Sequence, residues 1–118
     1  MTKEEVFMFN HQKLKCYEYA LVAARKVPTL IGKWPAGYAY LEDQLKRAAS
    51  SVVLNIAEGN YRYSIKERTR FFVIARASAG EVSSILDIAH AYRLIGDEDY
   101  RMLQDLLLQV VKMLYRLR

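Results

Sequence analysis

Residues 64–95 read SIKERTRFFVIARASAGEVSSILDIAHAYRLI. No proline falls within this stretch or after it. Phe71, Ala75, Ser78, Val82, Ile85, Ala89 and Tyr92 recur at spacings of four and three, the period of one helical face. Ser64 stands before the run and Glu67 three residues later. That pattern is a capping box, in which the serine hydroxyl accepts from a backbone N–H and the glutamate reaches back. Gly96 is a stop signal. The stretch therefore predicts a helix from Ile65 to Ile95, about 46 Å long at 1.5 Å per residue. Ala75, Ala77, Ser78, Ala79 and Gly80 lack bulk over more than one turn and invite close approach by a neighbouring helix.

The segments on either side repeat the pattern. Downstream, Asp97 is placed as an N-cap, with Glu98 and Asp99 at the positive end of the next helix. Tyr100, Leu103, Leu107, Val110, Leu114 and Leu117 form its stripe, and Lys112, Arg116 and Arg118 lie near its negative end. Upstream, a helix from Tyr38 to Glu58 presents Leu41, Leu45, Ala48, Val52 and Ile56. Its outer side carries the i,i+4 pairs Glu42–Lys46 and Asp43–Arg47, and Gly59 is placed to end it in the left-handed conformation. The first helix runs from Asn10 to Val27 with Leu14, Tyr17, Leu21 and Ala24 inward. Pro28 is expected either to end it, because proline lacks an N–H and clashes with the preceding turn, or to kink it so that Leu30 and Ile31 still form a last turn before Gly32. Gly32 to Gly37 is a Pro/Gly turn. Four helices with short connections predict an all-α fold, an antiparallel up-down-up-down four-helix bundle, as a single domain over residues 1–118.

Composition agrees with a folded domain. The chain has 118 residues, 53% of them hydrophobic, with five Gly and two Pro. One cysteine, Cys16, excludes a disulfide framework and a multi-cysteine zinc site; a lone helical cysteine reads as a small apolar filler. No apolar run is long enough to span a membrane. Met1–Glu5 lacks the apolar core of a signal peptide, so a reduced, cytoplasmic setting is expected. A net charge of +5 makes an acidic partner plausible without establishing one.

Apolar surface exceeds what one seam needs. Met102, Leu106 and Met113 lie off the main stripe of the last helix. On the long helix Ile74 and Ile88 flank the seam on one side, Phe72 and Leu86 on the other. This wide arc fits either the corner of a four-helix core or a subunit interface.

No catalytic or cofactor motif is present: there is no phosphate loop, nucleophile elbow or zinc-protease helix. His11 and His90 have no helical ligand partner, so no metal, no cofactor and no small-molecule substrate are expected. Two polar features stand out. Gln44, Arg47, Ser51, Asn55 and Glu58 form a ridge beside the apolar stripe, which serves either recognition or the fixing of helix register. Arg62, Lys66, Arg68, Arg70 and Arg76 crowd one segment against the single acid Glu67, with Tyr61, Tyr63, Phe71 and Phe72 interleaved. Guanidinium groups bind phosphates in bidentate fashion and tyrosines stack on unpaired bases. These cations oppose the dipole at a helix start, and the competing reading is a solvated charged face. Glu81 sits one heptad from both Ile74 and Ile88, a setting in which a carboxylate wants a cation from another helix or subunit.

Several strings together carry a family resemblance. They are Phe9 to Leu14; Trp34-Pro35; Gln44-Leu45-Lys46-Arg47-Ala48-Ala49-Ser50-Ser51-Val52-Val53-Leu54-Asn55-Ile56-Ala57-Glu58-Gly59; and Phe71 to Glu81. The chain resembles the bacterial four-helix-bundle proteins encoded in intervening sequences of large-subunit ribosomal RNA genes. The same superfamily includes the accessory variability determinant of diversity-generating retroelements, a pentameric, nucleic-acid-binding partner of a reverse transcriptase. The resemblance implies a non-catalytic homopentamer. Its implied partners are RNA or an RNA/DNA hybrid, with a reverse transcriptase in the retroelement branch. Asn55, Glu58, Gly59 and Glu81 are matched positions with structural roles, and Pro28 departs from the pattern. The alternative function is a protein-interaction scaffold with a basic face.

Overall fold

The computed structural model describes residues 9–117. Met1–Glu5 and Arg118, on which two of the readings above fall, lie outside the described residues. A short 3-10 turn, Asn10–Lys13, leads into α1 (Lys15–Ile31), α2 (Ala39–Asn60), α3 (Ile65–Ala91) and α4 (Asp97–Arg116). Each helix packs on two others: α1 and α3 both lie against α2 and α4. The α3–α4 contacts descend as a ladder toward their turn. Arg76 meets Tyr115, Ser83 meets Gln104, and His90 meets Asp97. Later residues of α3 face earlier ones of α4, the signature of antiparallel neighbours. The fold is the expected four-helix bundle.

The α2 stripe is buried as read, Leu41, Leu45, Ala48, Val52 and Ile56; on α4 Leu103, Leu107, Val110 and Leu114 are buried, while Tyr100 and Leu117 at the ends of its stripe only flank the core. On α3 the buried set is Phe72, Ala75, Ser78, Ala79, Val82, Ile85, Leu86 and Ala89. Phe72 replaces Phe71 in the core, and Tyr92 points outward. On α1 the predicted register is wrong. Cys16, Ala20, Ala23, Val27 and Leu30 are buried, while Leu21 is exposed and Leu14, Tyr17 and Ala24 only flank the core. Both sets have helical spacing, and the smaller side chains lie inward. Burial pushes the Cys16 thiol above its ordinary pKa, leaving it an inert filler.

Four local expectations meet the structure at helix ends. Of the two outcomes open at Pro28, the second holds: α1 continues through a last turn to Ile31. An interior proline costs about 3 kcal/mol, but burying Val27 and Leu30 contributes about 1.5–3 kcal/mol each, enough to hold the last turn on the core. Secondly, α3 stops at Ala91 rather than Ile95. The Arg93 N–H donates to the His90 carbonyl at 3.0 Å and the Leu94 N–H to the Ala89 carbonyl at 2.8 Å. This is a Schellman closure, with Arg93 in the left-handed position at φ 60°. It turns Ile95 back into the core. Thirdly, Gly96 is the N-cap of α4 and Asp97 its first helical residue. Finally, Ser64 Oγ accepts from the Glu67 N–H at 3.1 Å, but the Glu67 carboxylate lies 3.8 Å from Arg70 instead of closing the box.

Gly59 is the most informative correction. It has no positive φ and lies inside α2. A Cβ there would sit 2.7 Å from Phe72 Cε1 and 3.1 Å from Phe71 Cβ. The glycine is needed for close approach of α3, not for a left-handed cap. Nearby, Ala75, Ser78 and Ala79 face inward, whereas Ala77 and Gly80 are exposed. The apolar arc divides similarly. Phe72 and Leu86 are core, and Met102, Leu106 and Met113 pack half-buried against it. Ile74 and Ile88 remain outside at 37% and 40% exposure. Neither Glu42–Lys46 nor Asp43–Arg47 comes within ion-pair distance; among the described residues the ion pairs are Glu58–Arg62, Glu67–Arg70 and His90–Asp97.

Candidate nucleic-acid interface

Antiparallel topology gathers four helix ends at each pole of the bundle. One pole holds the start of α1, the end of α2, the start of α3 and the end of α4. Lys13, Lys15, Arg62, Lys66, Arg68, Arg70, Lys112 and Arg116 therefore share it, with Glu18, Glu58 and Glu67 as nearby acids. The acids at the start of α4 (Asp97, Glu98, Asp99) lie at the opposite pole. The basic character read along one segment is thus a property of a whole end of the molecule.

At this pole the basic run splits. Arg62 and Arg70 both lie over the Phe71 ring, at 4.7 and 5.1 Å from its centroid. Such contacts hold guanidinium planes in place while leaving their edges free for acceptors. Arg62 also donates from Nη2 to Glu58 Oε1 at 3.1 Å, one turn back on α2. Lys66 is exposed one turn before Arg70, on the same face by spacing. Tyr63 is fully exposed. Arg68 is half-buried on another side of α3. Arg76 leaves the group entirely: it lies over Tyr115 of α4, 4.0 Å from the ring centroid.

Three buried donors at this corner have no acceptor among the described residues: Asn60 Nδ2, Arg62 Nε and Arg68 Nε. Buried polar groups are nearly always paired. Arg62 uses one tooth of its side-on fork on Glu58 and leaves the Nε tooth empty. An oxyanion engages both teeth of such a fork.

Tyr61 has a second role that the sequence concealed. Its hydroxyl accepts from the His11 N–H at 3.4 Å and is hydrogen-bonded to His11 Nδ1 at 2.8 Å. The bond fastens the 3-10 turn over the end of α2. Between them lies an open, shallow cleft lined by His11, Leu54, Asn55, Ala57, Glu58, Tyr61 and Phe71. His11 stands fifty positions from Tyr61, and no sequence pattern links them. The adjacent polar ridge is partly internal. Asn55 Nδ2 donates to the Ser51 carbonyl at 2.8 Å and to Ser51 Oγ at 3.0 Å, and Ser51 Oγ meets Ser78 Oγ of α3 at 2.7 Å. This network fixes the α2–α3 register. Gln44 and Arg47 are exposed, and so is Glu81, which has no cation within 4 Å among the described residues.

A second polar chain ties α3 to α4 at the other pole. His90 stacks on Tyr100, and its Nε2 donates to Asp97 at 2.7 Å. Tyr100 donates to Asp87, which also accepts from Gln104 at 3.2 Å. The bond from His90 holds the Asp97 carboxyl below its ordinary pKa, and the bond to Asp87 raises the Tyr100 phenol. Among the described residues no group of three or more His, Cys, Asp or Glu is arranged to hold a metal. No helix there is long and apolar enough to cross a membrane.

The profile of the family described as 23S rRNA-intervening sequence protein matches residues 12–116. A crystal structure of a protein of unknown function from the S23 ribosomal protein family of Bacteroides thetaiotaomicron VPI-5482 is similar at a TM-score of 0.78. It is 18% identical, over 86% of this chain and 95% of that one. None of the curated proteins matches the chain significantly.

Proposed function

The chain belongs to the 23S rRNA-intervening sequence protein family, and on that footing we propose that it is a non-catalytic RNA-binding accessory protein acting through its basic pole. The observation that carries this reading is the convergence of the helix ends. It places Arg62, Lys66 and Arg70 beside Lys13, Lys15, Lys112 and Arg116, while Arg68 lies half-buried on another side of α3. Phosphate backbones are held by such cation clusters, with release of counterions.

The protein works as a homo-oligomer, a ring of five. The outward Ile74, Ile88, Val73 and Leu108 support association, and Glu81 between the two isoleucines would find its cation on a neighbour. Repetition of a weak basic pole around a ring multiplies affinity for one structured RNA. RNA in a complex with a reverse transcriptase would be held by the same surface, in the cytoplasm.

The test is binding to a structured RNA across salt. Affinity falls steeply between about 50 and 200 mM salt, with little loss of helicity in any variant. Replacing Arg62, Lys66 and Arg70 with Gln weakens binding and flattens the salt slope by about one unit for each phosphate no longer held. A triple variant with the parent's affinity and slope would reduce this pole to solvated charge. Absence of RNA binding at low salt would favour a scaffold for an acidic protein. Light scattering decides the assembly, and a monomer mass at all concentrations overturns the ring.

A further inference from the structure

We propose that the face shared by α1 and α4 carries a second cation group at the far end of α1, and that this group and the basic pole together hold the two phosphate rows bordering one groove of a duplex in the bound RNA. This rests on the RNA reading above and deepens it. Arg25, Lys26, Thr29 and Lys33 line one open depression with Asp99, Met102 and Leu103. Arg25 and Lys33 are exposed and Lys26 is half-buried. None of the three cations makes an ion pair among the described residues, although Asp99 lines the same depression. Of the three acids at the start of α4 only Asp99 does so; Asp97 is taken up by His90 of α3. The helix dipole does not account for Arg25 and Lys26. It acts within the last turn, and the last turn of α1 holds no basic residue.

Lys26 follows Lys15 by three helical turns, so both stand on one side of α1, about 16 Å apart along its axis. Lys15 belongs to the basic pole, as do Lys112 and Arg116 at the end of α4, the helix packed against α1. Between the two groups both helices are bare of cations. Residues 16–24 of α1 and 102–111 of α4 hold no Lys or Arg, and their charged side chains are Glu18 and Asp105 alone. A single strand laid along this face would run its middle phosphates past a stretch whose charges are carboxylates. A duplex instead presents two phosphate rows with a groove between them. A separation of about 16 Å is of the order of a groove with its bordering phosphates, and the minor groove of A-form RNA is wide and shallow. One row meets Lys15, Lys112 and Arg116, the other Arg25, Lys26 and Lys33, and the bare middle spans the groove. The other side of the bundle has no such excess: on α2, Lys46 and Arg47 stand against Glu42, Asp43 and Glu58.

Fluorescence anisotropy across salt tests this with a labelled RNA duplex of about 20 base pairs and an oligouridine of the same length. Arg25→Gln with Lys33→Gln takes two exposed cations from the second group. At about 50 mM salt this variant binds the duplex about tenfold more weakly than the parent, with a salt slope lower by about two units. Its oligouridine affinity changes by less than about twofold. Lys46→Gln with Arg47→Gln, an equal change of charge on α2, leaves both RNAs bound as by the parent. Circular dichroism should show parental helicity in both variants. Should the first pair lower it, Lys33→Gln alone, beyond the end of α1, lowers the duplex slope by about one unit. Parental duplex affinity and slope without these cations overturn the inference. So does an equal loss from the α2 variant, or an equal loss on oligouridine. Each of those results leaves the RNA-binding role of the basic pole standing. No binding of any RNA by the parent removes both.

Discussion

Gly59→Ala tests how α2 and α3 meet. The new methyl group would lie 2.7 and 2.9 Å from two ring carbons of Phe72 and 3.1 Å from Phe71 Cβ. Phe72 is 1% exposed, so its ring is enclosed by the core. Overpacking of this kind costs about 1–3 kcal/mol. Alanine in place of a helical glycine returns at most about 1 kcal/mol. With the full return the net loss is about 0–2 kcal/mol, or up to about 8 °C in Tm for a chain of this size. Urea unfolding followed by circular dichroism, at one fixed protein concentration, measures it; concentration must be held because assembly shifts apparent stability. The decisive arm is a double-mutant cycle with Phe72→Leu, which thins the ring at the point of collision. The two substitutions should couple by about 1 kcal/mol, the pair being less damaging than the sum. A left-handed cap at Gly59 would also make alanine costly, but that cost would be indifferent to Phe72. Additive effects, or a stabilised Gly59→Ala protein, would refute the close-approach account.

Two other substitutions probe the turn between α3 and α4. Arg93 holds φ 60° in the Schellman closure, so Arg93→Gly should stabilise the protein by about 0.5–1 kcal/mol in urea unfolding, strain relief exceeding the added chain entropy; an unchanged or lowered stability contradicts this. Asp97 has its carboxyl pKa lowered by His90 in the folded state. Its contribution is therefore complete above the ordinary carboxylate range and is lost as pH falls through the lowered folded value. The Tm difference between the parent and Asp97→Asn should shrink as pH falls below about pH 4; a difference that persists at acid pH would mean that the charge is not its source.

Local sequence determined the four helices, their order and the inward faces of α2 and α4. There the largest apolar side chains recur along one stripe, and burying it leaves the flanking Met102, Leu106 and Met113 of α4 at the edge of the core. Ser64 as the cap of α3 was equally legible, because its hydroxyl satisfies a donor three residues away. Tertiary structure alone decided the rest. α1 carries two overlapping stripes of helical period, and only the neighbouring helices choose the smaller one. Phe71 and Phe72 are adjacent and equally apolar; the approach of α2 sends Phe72 into the core and leaves Phe71 beneath two arginines. Gly59 is required by that same approach, which no local signal distinguishes from a cap. The basic run read as one cluster because its members are close in sequence, yet helical rotation turns Arg68 and Arg76 away. Chain reversal supplies Lys13, Lys15, Lys112 and Arg116 instead. The cleft at that pole depends on His11 meeting Tyr61 across fifty residues. Sequence periodicity specifies which face of a helix is apolar, but groups from distant helix ends are brought together only when those faces are buried against one another.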